Sequence, residues 1–131
     1  MKQEEKSAKE GYNVLAKHYY NLRKNKGQGR FYNEWLEMPA TFELIGNVKN
    51  KKVLDWGCGF GIYTNMLFKK GAKIKGFDIS EELIKMAKEE YPKIDFKVGS
   101  GYRIPYKEKF DIVFASLAFN YIADWDKGLR E

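Results

Sequence analysis

The chain has 131 residues, 44% hydrophobic and 32% charged, which is enough apolar material for the core of one soluble domain. No apolar run is long enough to cross a bilayer and no signal-sequence pattern opens the chain, so a membrane partner is not expected and the expected setting is cytoplasmic. The one cysteine, Cys58, excludes an internal disulfide and a multi-cysteine metal cage, and no metal is expected.

Charge is unevenly placed. Residues 1–30 hold eight Lys or Arg against three Glu, so they supply +5 of the net +6. The basic stretch 23–30 could steer an anionic substrate or RNA, but it has no interleaved aromatics and belongs to no nucleic-acid module. A solvated loop and a frayed lysine-rich terminus are therefore preferred, and a nucleic-acid partner is not expected.

In chain order, residues 12–20 have the spacing of an amphipathic helix, with Val14 or Leu15 facing the same way as His18 and Tyr19. A second helical pattern places Phe31, Trp35 and Met38 on one side. Pro39 either kinks it or starts another turn before residues 41–45. Residues 1–46 thus read as an N-terminal helical segment, and residues 47–50 link it to a second unit covering 47–131.

That unit opens with Val53, Leu54, Asp55 and Trp56, a short apolar strand that reaches an acid and breaks into Gly57, Gly59 and Gly61. Glycine is needed where the backbone takes positive φ or where a ligand must approach closer than a Cβ allows. Apolar residues at 62, 63, 66 and 67 continue as a helix ending near Gly71. Residues 73–78 form a second strand closing on Asp78. Ser80 is a good N-cap for the next helix, which has Glu81 and Glu82 in its first turn, Leu83, Ile84, Ala87 and Tyr91 on its apolar side, and its stop at Pro92. Residues 94–98 alternate as a half-buried strand, and a loop follows from Gly99 to Tyr106. Residues 110–119 are nearly continuous apolar sequence, as in a strand covered on both faces, and 124–130 begin a further helix.

A strand–glycine turn–helix unit is where open α/β sheets bind nucleotide-like ligands. The dinucleotide fingerprint would need its third glycine at position 62, which is Ile62, so a nicotinamide-dependent oxidoreductase fragment is disfavoured. With Asp55 two residues before the first glycine, the run resembles the first motif of the class I S-adenosylmethionine-dependent methyltransferases. Asp78, 23 residues after Asp55, stands where a carboxylate would accept from the ribose diol. Because Ser80 already caps the helix, Asp78 is expected to be free for that role.

The resemblance implies an α/β, Rossmann-like, open and mainly parallel sheet in the order 3-2-1-4, with S-adenosyl-L-methionine as cofactor. It implies close backbone approach at Gly57, Gly59 and Gly61, Asp55 at the turn and the methionine amine, and Asp78 at the ribose. Ile79 and Gly101 would flank the adenine, while Ala115 and Leu117 would lie beside the methionine moiety. Tyr19 and Tyr63 complete the expected cofactor-binding set. Residues 12–16 are similar to an N-terminal Tyr-Asp-x-x-Ala helix that folds over the cofactor in small-molecule methyltransferases, with Asn13 in place of the acid.

The chain departs from the family pattern at two further places. Ser100 stands where an acid usually accepts from the adenine amino group, and serine is expected to be a weaker contact. Asn120 stands where many small-molecule relatives carry histidine, and asparagine is no base at neutral pH. No catalytic residue is assigned. Cys58 has no histidine near it in sequence, and a nucleophilic role is not expected.

The expected function is methyl transfer to a small-molecule acceptor. The alternative is a module that binds S-adenosylmethionine or S-adenosylhomocysteine without turnover; RNA methylation is less favoured. Only four of the family's seven strands can be read, so the chain is expected either to be part of a longer protein or to self-associate through the apolar edge at 110–116.

Overall fold

The computed structural model describes residues 3–24 and 38–115. Helix α1 spans Gln3–Lys24 and α2 spans Met38–Ile45. Four strands follow, β1 (Lys52–Trp56), β2 (Lys73–Asp78), β3 (Asp95–Val98) and β4 (Ile112–Ala115), with α3 (Ile62–Lys69) between the first two and α4 (Glu81–Glu90) between β2 and β3. All three strand pairings are parallel and the sheet order is β3-β2-β1-β4. The expected architecture is the one observed.

Parallel pairing explains the sequence of the central strand. In β1 only Lys52 is exposed, and the four residues after it are buried because neighbours cover both faces. Side chains alternate between those faces. Val53, Ile74 and Phe114 pack with Tyr63 and Leu67 of α3 on one side, where Phe42 and Ile45 of α2 join them. Leu54, Trp56 and Phe77 point to the other side, against Tyr102, Ile104, Tyr106 and Phe110 from the segment that joins β3 to β4. Tyr106 pins that crossing, its hydroxyl lying 3.0 Å from the carbonyl oxygens of both Gly76 and Asp95.

The order of the strands places a crevice. The chain runs outward from β1 to β2 to β3, then crosses back to lay β4 on the far side of β1. At such a reversal the loops leaving neighbouring strands diverge, which opens a cleft beyond their carboxyl ends.

Two glycines adapt the framework to this turn. At Gly76, within β2, a Cβ would lie 3.0 Å from the Cys58 Cβ and 3.1 Å from both the Cys58 Sγ and Phe96 Cδ1, so its absence lets the turn residue Cys58 lie on the strand. Gly61 has φ +92°, and a Cβ there would meet Phe96 Cζ at 2.7 Å. Cys58 is accordingly a packing residue, and burial raises its thiol well above the usual range.

The N-terminal segment differs from its sequence reading. The expected frayed terminus is helical from Gln3, because α1 packs along α4 and Ala16 is buried with Phe60 and Leu83. Pro39 falls in the first turn of α2, where its missing N–H leaves no helical bond unmade. The helix expected around Phe31 and Trp35 lies outside the described residues, as do Asn120, the side chain of His18 and the helix expected at 124–130.

Candidate functional site

The glycine turn is tied to β2 by backbone and side chain together. Gly57 and Cys58 both donate their N–H to the carbonyl of Phe77, at 2.9 and 3.0 Å. Gly57, Gly59 and Gly61 have φ of 76°, 57° and 92°, in the left-handed region that other residues enter only under strain. With that backbone, the N–H of Gly59 turns toward β2 and donates to Asp78 Oδ2 at 2.9 Å.

Asp78 is the junction of the site. Its other oxygen, Oδ1, accepts from the Ser80 N–H at 2.9 Å, and the Ile79 N–H also bonds to the carboxylate. Burial raises its pKa, and the three backbone donors oppose that rise. The expectation that Asp78 is free is therefore corrected: Ser80 does cap α4, its Oγ accepting from Leu83 N at 3.2 Å, yet Asp78 is itself bound to the backbone. A carboxylate has about four lone-pair positions, so with three backbone donors about one remains, enough to accept from one hydroxyl.

Asp55, 2% exposed at the end of β1, accepts from Thr64 Oγ1 of α3 at 2.7 Å. Its pKa is pushed up to about 7, mainly by burial, with the hydroxyl opposing and the nearby Asp78 charge adding to the rise. Near neutral pH this carboxyl is poised between its two forms, and an ammonium brought beside it would favour the ionised one.

The remaining expected residues divide by location. Ile79 is half-buried beside Asp78, Gly101 is buried in the turn after β3, and Ala115 ends β4 in register with Trp56. Ser100 does not present a free acceptor. Its Oγ accepts from the N–H groups of both Tyr102 and Arg103, at 3.1 Å each, and closes its own turn. Tyr63 is placed in the core, its ring 6.0 Å from that of Phe42 and 5.7 Å from that of Phe114, because it shares a helix face with Leu67 rather than with Thr64. Leu117 and the side chain of Tyr19 lie outside the described residues.

Helix α1 covers this region, through contacts that residue spacing alone did not reveal. Asn13 Oδ1 accepts from Ser80 Oγ at 2.6 Å and from the Glu82 N–H at 3.3 Å, so the residue in the family's acid position docks α1 onto the start of α4. Lys9 pairs with Glu81 at 2.6 Å, and the Tyr102 hydroxyl donates to Glu4 Oε1 at 3.1 Å. The helix therefore runs from the turn after β3, past the end of β2, to Phe60 of the glycine turn. Thr64 and Asn13 are the site residues that the sequence reading left without a contact.

A family profile described as a methyltransferase domain matches residues 54–131, more than half of the chain. The chain is similar to the ubiquinone biosynthesis O-methyltransferase of Pelagibacter ubique, with 34% identity over 88 residues, 64% of this chain and 37% of that protein. Among solved structures, an S-adenosylmethionine-dependent methyltransferase from Mesorhizobium loti superposes with TM-score 0.67 at 28% identity, over 72% of this chain and 45% of that one. The cyclase SpnF superposes with TM-score 0.77 at 18% identity, over 96% of this chain and 54% of that one, a likeness of fold alone.

A strand holding Asp55, a glycine turn bonded to Asp78 and the order β3-β2-β1-β4 define a class, and the profile match agrees with it: the chain belongs to the class I S-adenosylmethionine-dependent methyltransferase family. It spans about two-fifths of the length of the curated relatives that it matches. Among the described residues no helix is long and apolar enough to cross a membrane.

Proposed function

We propose that this chain is the S-adenosylmethionine-binding part of a methyltransferase acting on a small-molecule acceptor. The observation that carries this reading is the Asp78 carboxylate, which joins the glycine turn to β2 at the carboxyl end of the strand and has about one lone-pair position left. The residues suit the ligand chemically. Asp78 suits a vicinal diol, Asp55 an α-ammonium, and α3 begins at Gly61 with no side-chain cap, which suits an α-carboxylate.

When bound, the cofactor supplies a methyl group on a sulfonium that leaves without acid assistance. The work of this chain is then to bind and to orient. The left-handed glycines hold the backbone of the turn close to the ligand, Asp55 and Asp78 set its two ends along the sheet, and α1 shields the crevice from water. Likeness to ubiquinone and demethylmenaquinone methyltransferases supports a small-molecule acceptor.

One second reading is binding of S-adenosylmethionine or S-adenosylhomocysteine without methyl transfer, supported by the chain spanning about two-fifths of the curated relatives that it matches. Calorimetric titration with S-adenosylhomocysteine, run beside Asp78→Ala and with the solution mass recorded, tests the binding site. Saturable binding lost in the variant is expected, and a folded chain that binds nothing would remove the reading. Methyl transfer to a quinol-type acceptor by the chain would exclude the second one.

A further inference from the structure

The end of the sheet where the strands begin, opposite the crevice, gathers lysine. Lys49, Lys51 and Lys52 lead into β1, Lys69 and Lys70 close α3, and Lys73 opens β2, and all six are exposed. The fold brings these three segments together. Lys52 and Lys73 are register partners, the Lys73 N–H donates to the Lys51 carbonyl at 2.8 Å, and the Asn50 N–H donates to the Gly71 carbonyl at 2.9 Å. Lys49 lies against Gly71, where a Cβ would come within 3.1 Å of its Cγ.

Little at this end neutralises them. Glu108 lies 3.9 Å from Lys52 Nζ and is held more closely by Lys75, while Asp111 accepts from the Lys52 backbone N–H at 2.8 Å. α2 adds one exposed acid, Glu43. Among the described residues, Lys49, Lys51, Lys69, Lys70 and Lys73 have no carboxylate partner. The dipole of α3 accounts for Lys69 and Lys70 at its C-terminus, but not for the lysines that other segments contribute.

Apolar side chains border the lysines. Phe68, 38% exposed, precedes Lys69, and Lys70 Nζ lies 5.6 Å from the ring centroid of Phe42 on α2. Phe42 and Ile45 of that helix pack on the core, whereas Leu44 between them is 89% exposed. Lysines beside exposed Leu and Phe have the chemistry of a peripheral lipid contact, in which cations are drawn diffusely to acidic headgroups and apolar side chains enter the boundary beneath. The type of cation matters. Protein interfaces are depleted in lysine and enriched in arginine, and single-stranded nucleic acids are held by stacked aromatic rings and arginine, whereas all six cations here are lysines.

We propose that this end of the domain docks on an anionic lipid surface through its lysines, with Leu44 and Phe68 entering the headgroup boundary. A contact of this kind needs no spanning helix. The crevice, at the carboxyl ends of the strands, is turned away from the lipid and stays open to dissolved ligand. Docking does not depend on the identity of that ligand.

The test is co-sedimentation of the full 131-residue chain with vesicles of phosphatidylcholine alone, or with about one-third phosphatidylglycerol. Binding is expected only to the second, and it should fall by about tenfold or more when salt is raised from about 0.1 M to about 1 M. Lys49→Gln, Lys70→Gln and Lys73→Gln combined should weaken it by about tenfold or more. Lys6→Gln, Lys85→Gln and Lys97→Gln remove the same charge from α1, α4 and β3, and should weaken it by about twofold or less. Leu44→Ser should weaken vesicle binding several-fold. Equal losses in the two triple variants would overturn the patch, and full binding by Leu44→Ser would overturn the lipid contact. So would equal binding to both vesicles, binding to neither, or binding of single-stranded RNA in their place.

Discussion

Gly59 and Asp78 meet across 2.9 Å, backbone N–H to carboxylate Oδ2, while the opposite oxygen of the same carboxylate holds the N–H of Ser80. One side chain thus positions the glycine turn after β1 and the start of the helix after β2. The residue proposed for the ribose is also the residue that shapes the loop beside it.

This makes asparagine a poor substitute at position 78. An amide has one oxygen where the carboxylate has two, so either Gly59 N or Ser80 N would face an NH2 group. Asp78→Asn is expected to lower stability by about 1–3 kcal/mol and to weaken S-adenosylhomocysteine binding as well. Urea unfolding of the variant beside the unaltered chain measures the first effect, and an unchanged midpoint would show that the two backbone bonds do not matter.

Gly61 should resist even the smallest side chain. Alanine there would carry φ +92° and bring its Cβ to within 2.7 Å of Phe96 Cζ. Gly61→Ala is expected to cost more than about 1 kcal/mol from the backbone alone, with the clash added to that. Combining it with Phe96→Leu separates the terms: the pair should recover the steric part and leave the conformational part. Full recovery would mean that the left-handed backbone carries no cost.

Asp55 makes a prediction in pH. Its pKa in the folded chain, about 7, lies above the ordinary 3.8, so between those values the folded state keeps a proton that the unfolded chain has released. Stability from this group is therefore highest below about pH 4, declines as pH rises toward 7 and is level above it. Asp78 is shifted the same way and adds to the slope. Asp55→Asn is expected to flatten the decline without abolishing it, as read from chemical denaturation at pH 5 and pH 7.5; an unaltered slope would contradict the buried, raised carboxyl.

Helix α1 should depend on Asn13 more than on its ion pair. The Lys9–Glu81 contact involves a side chain that is 61% exposed, and such pairs contribute little. Asn13 instead engages the N-cap Ser80 and the Glu82 backbone. Asn13→Ala is expected to speed limited proteolysis within α1 by several-fold while the sheet unfolds at nearly the same denaturant concentration, and Lys9→Ala should leave the cleavage rate close to that of the unaltered chain. Equal cleavage rates for the two variants would place the docking elsewhere.

What could be read from sequence was local in origin. Gly57, Gly59 and Gly61 mark a backbone that other residues strain to adopt, Ser80 followed by two glutamates marks a helix start, and buried parallel strands such as β1 show as apolar runs. The family resemblance drew on the same short runs, and they sufficed to place Asp55 and Asp78 at the ends of neighbouring strands.

Only the tertiary structure decided what those residues do with their bonds. Asn13 and Ser80 are 67 positions apart and Glu4 and Tyr102 are 98 apart, so no periodicity in either segment encodes the meeting. Asp78 is bonded rather than free because the glycine turn, 19 positions earlier, is folded against the end of β2, and how α1 lies is decided at Ser80 and Tyr102. Sequence by itself determined the sheet and the turn, because backbone sterics and alternating burial act over a few residues. The lining of the crevice was settled by packing between distant elements, because a hydrogen bond is directional and exists only once both partners have been brought into place.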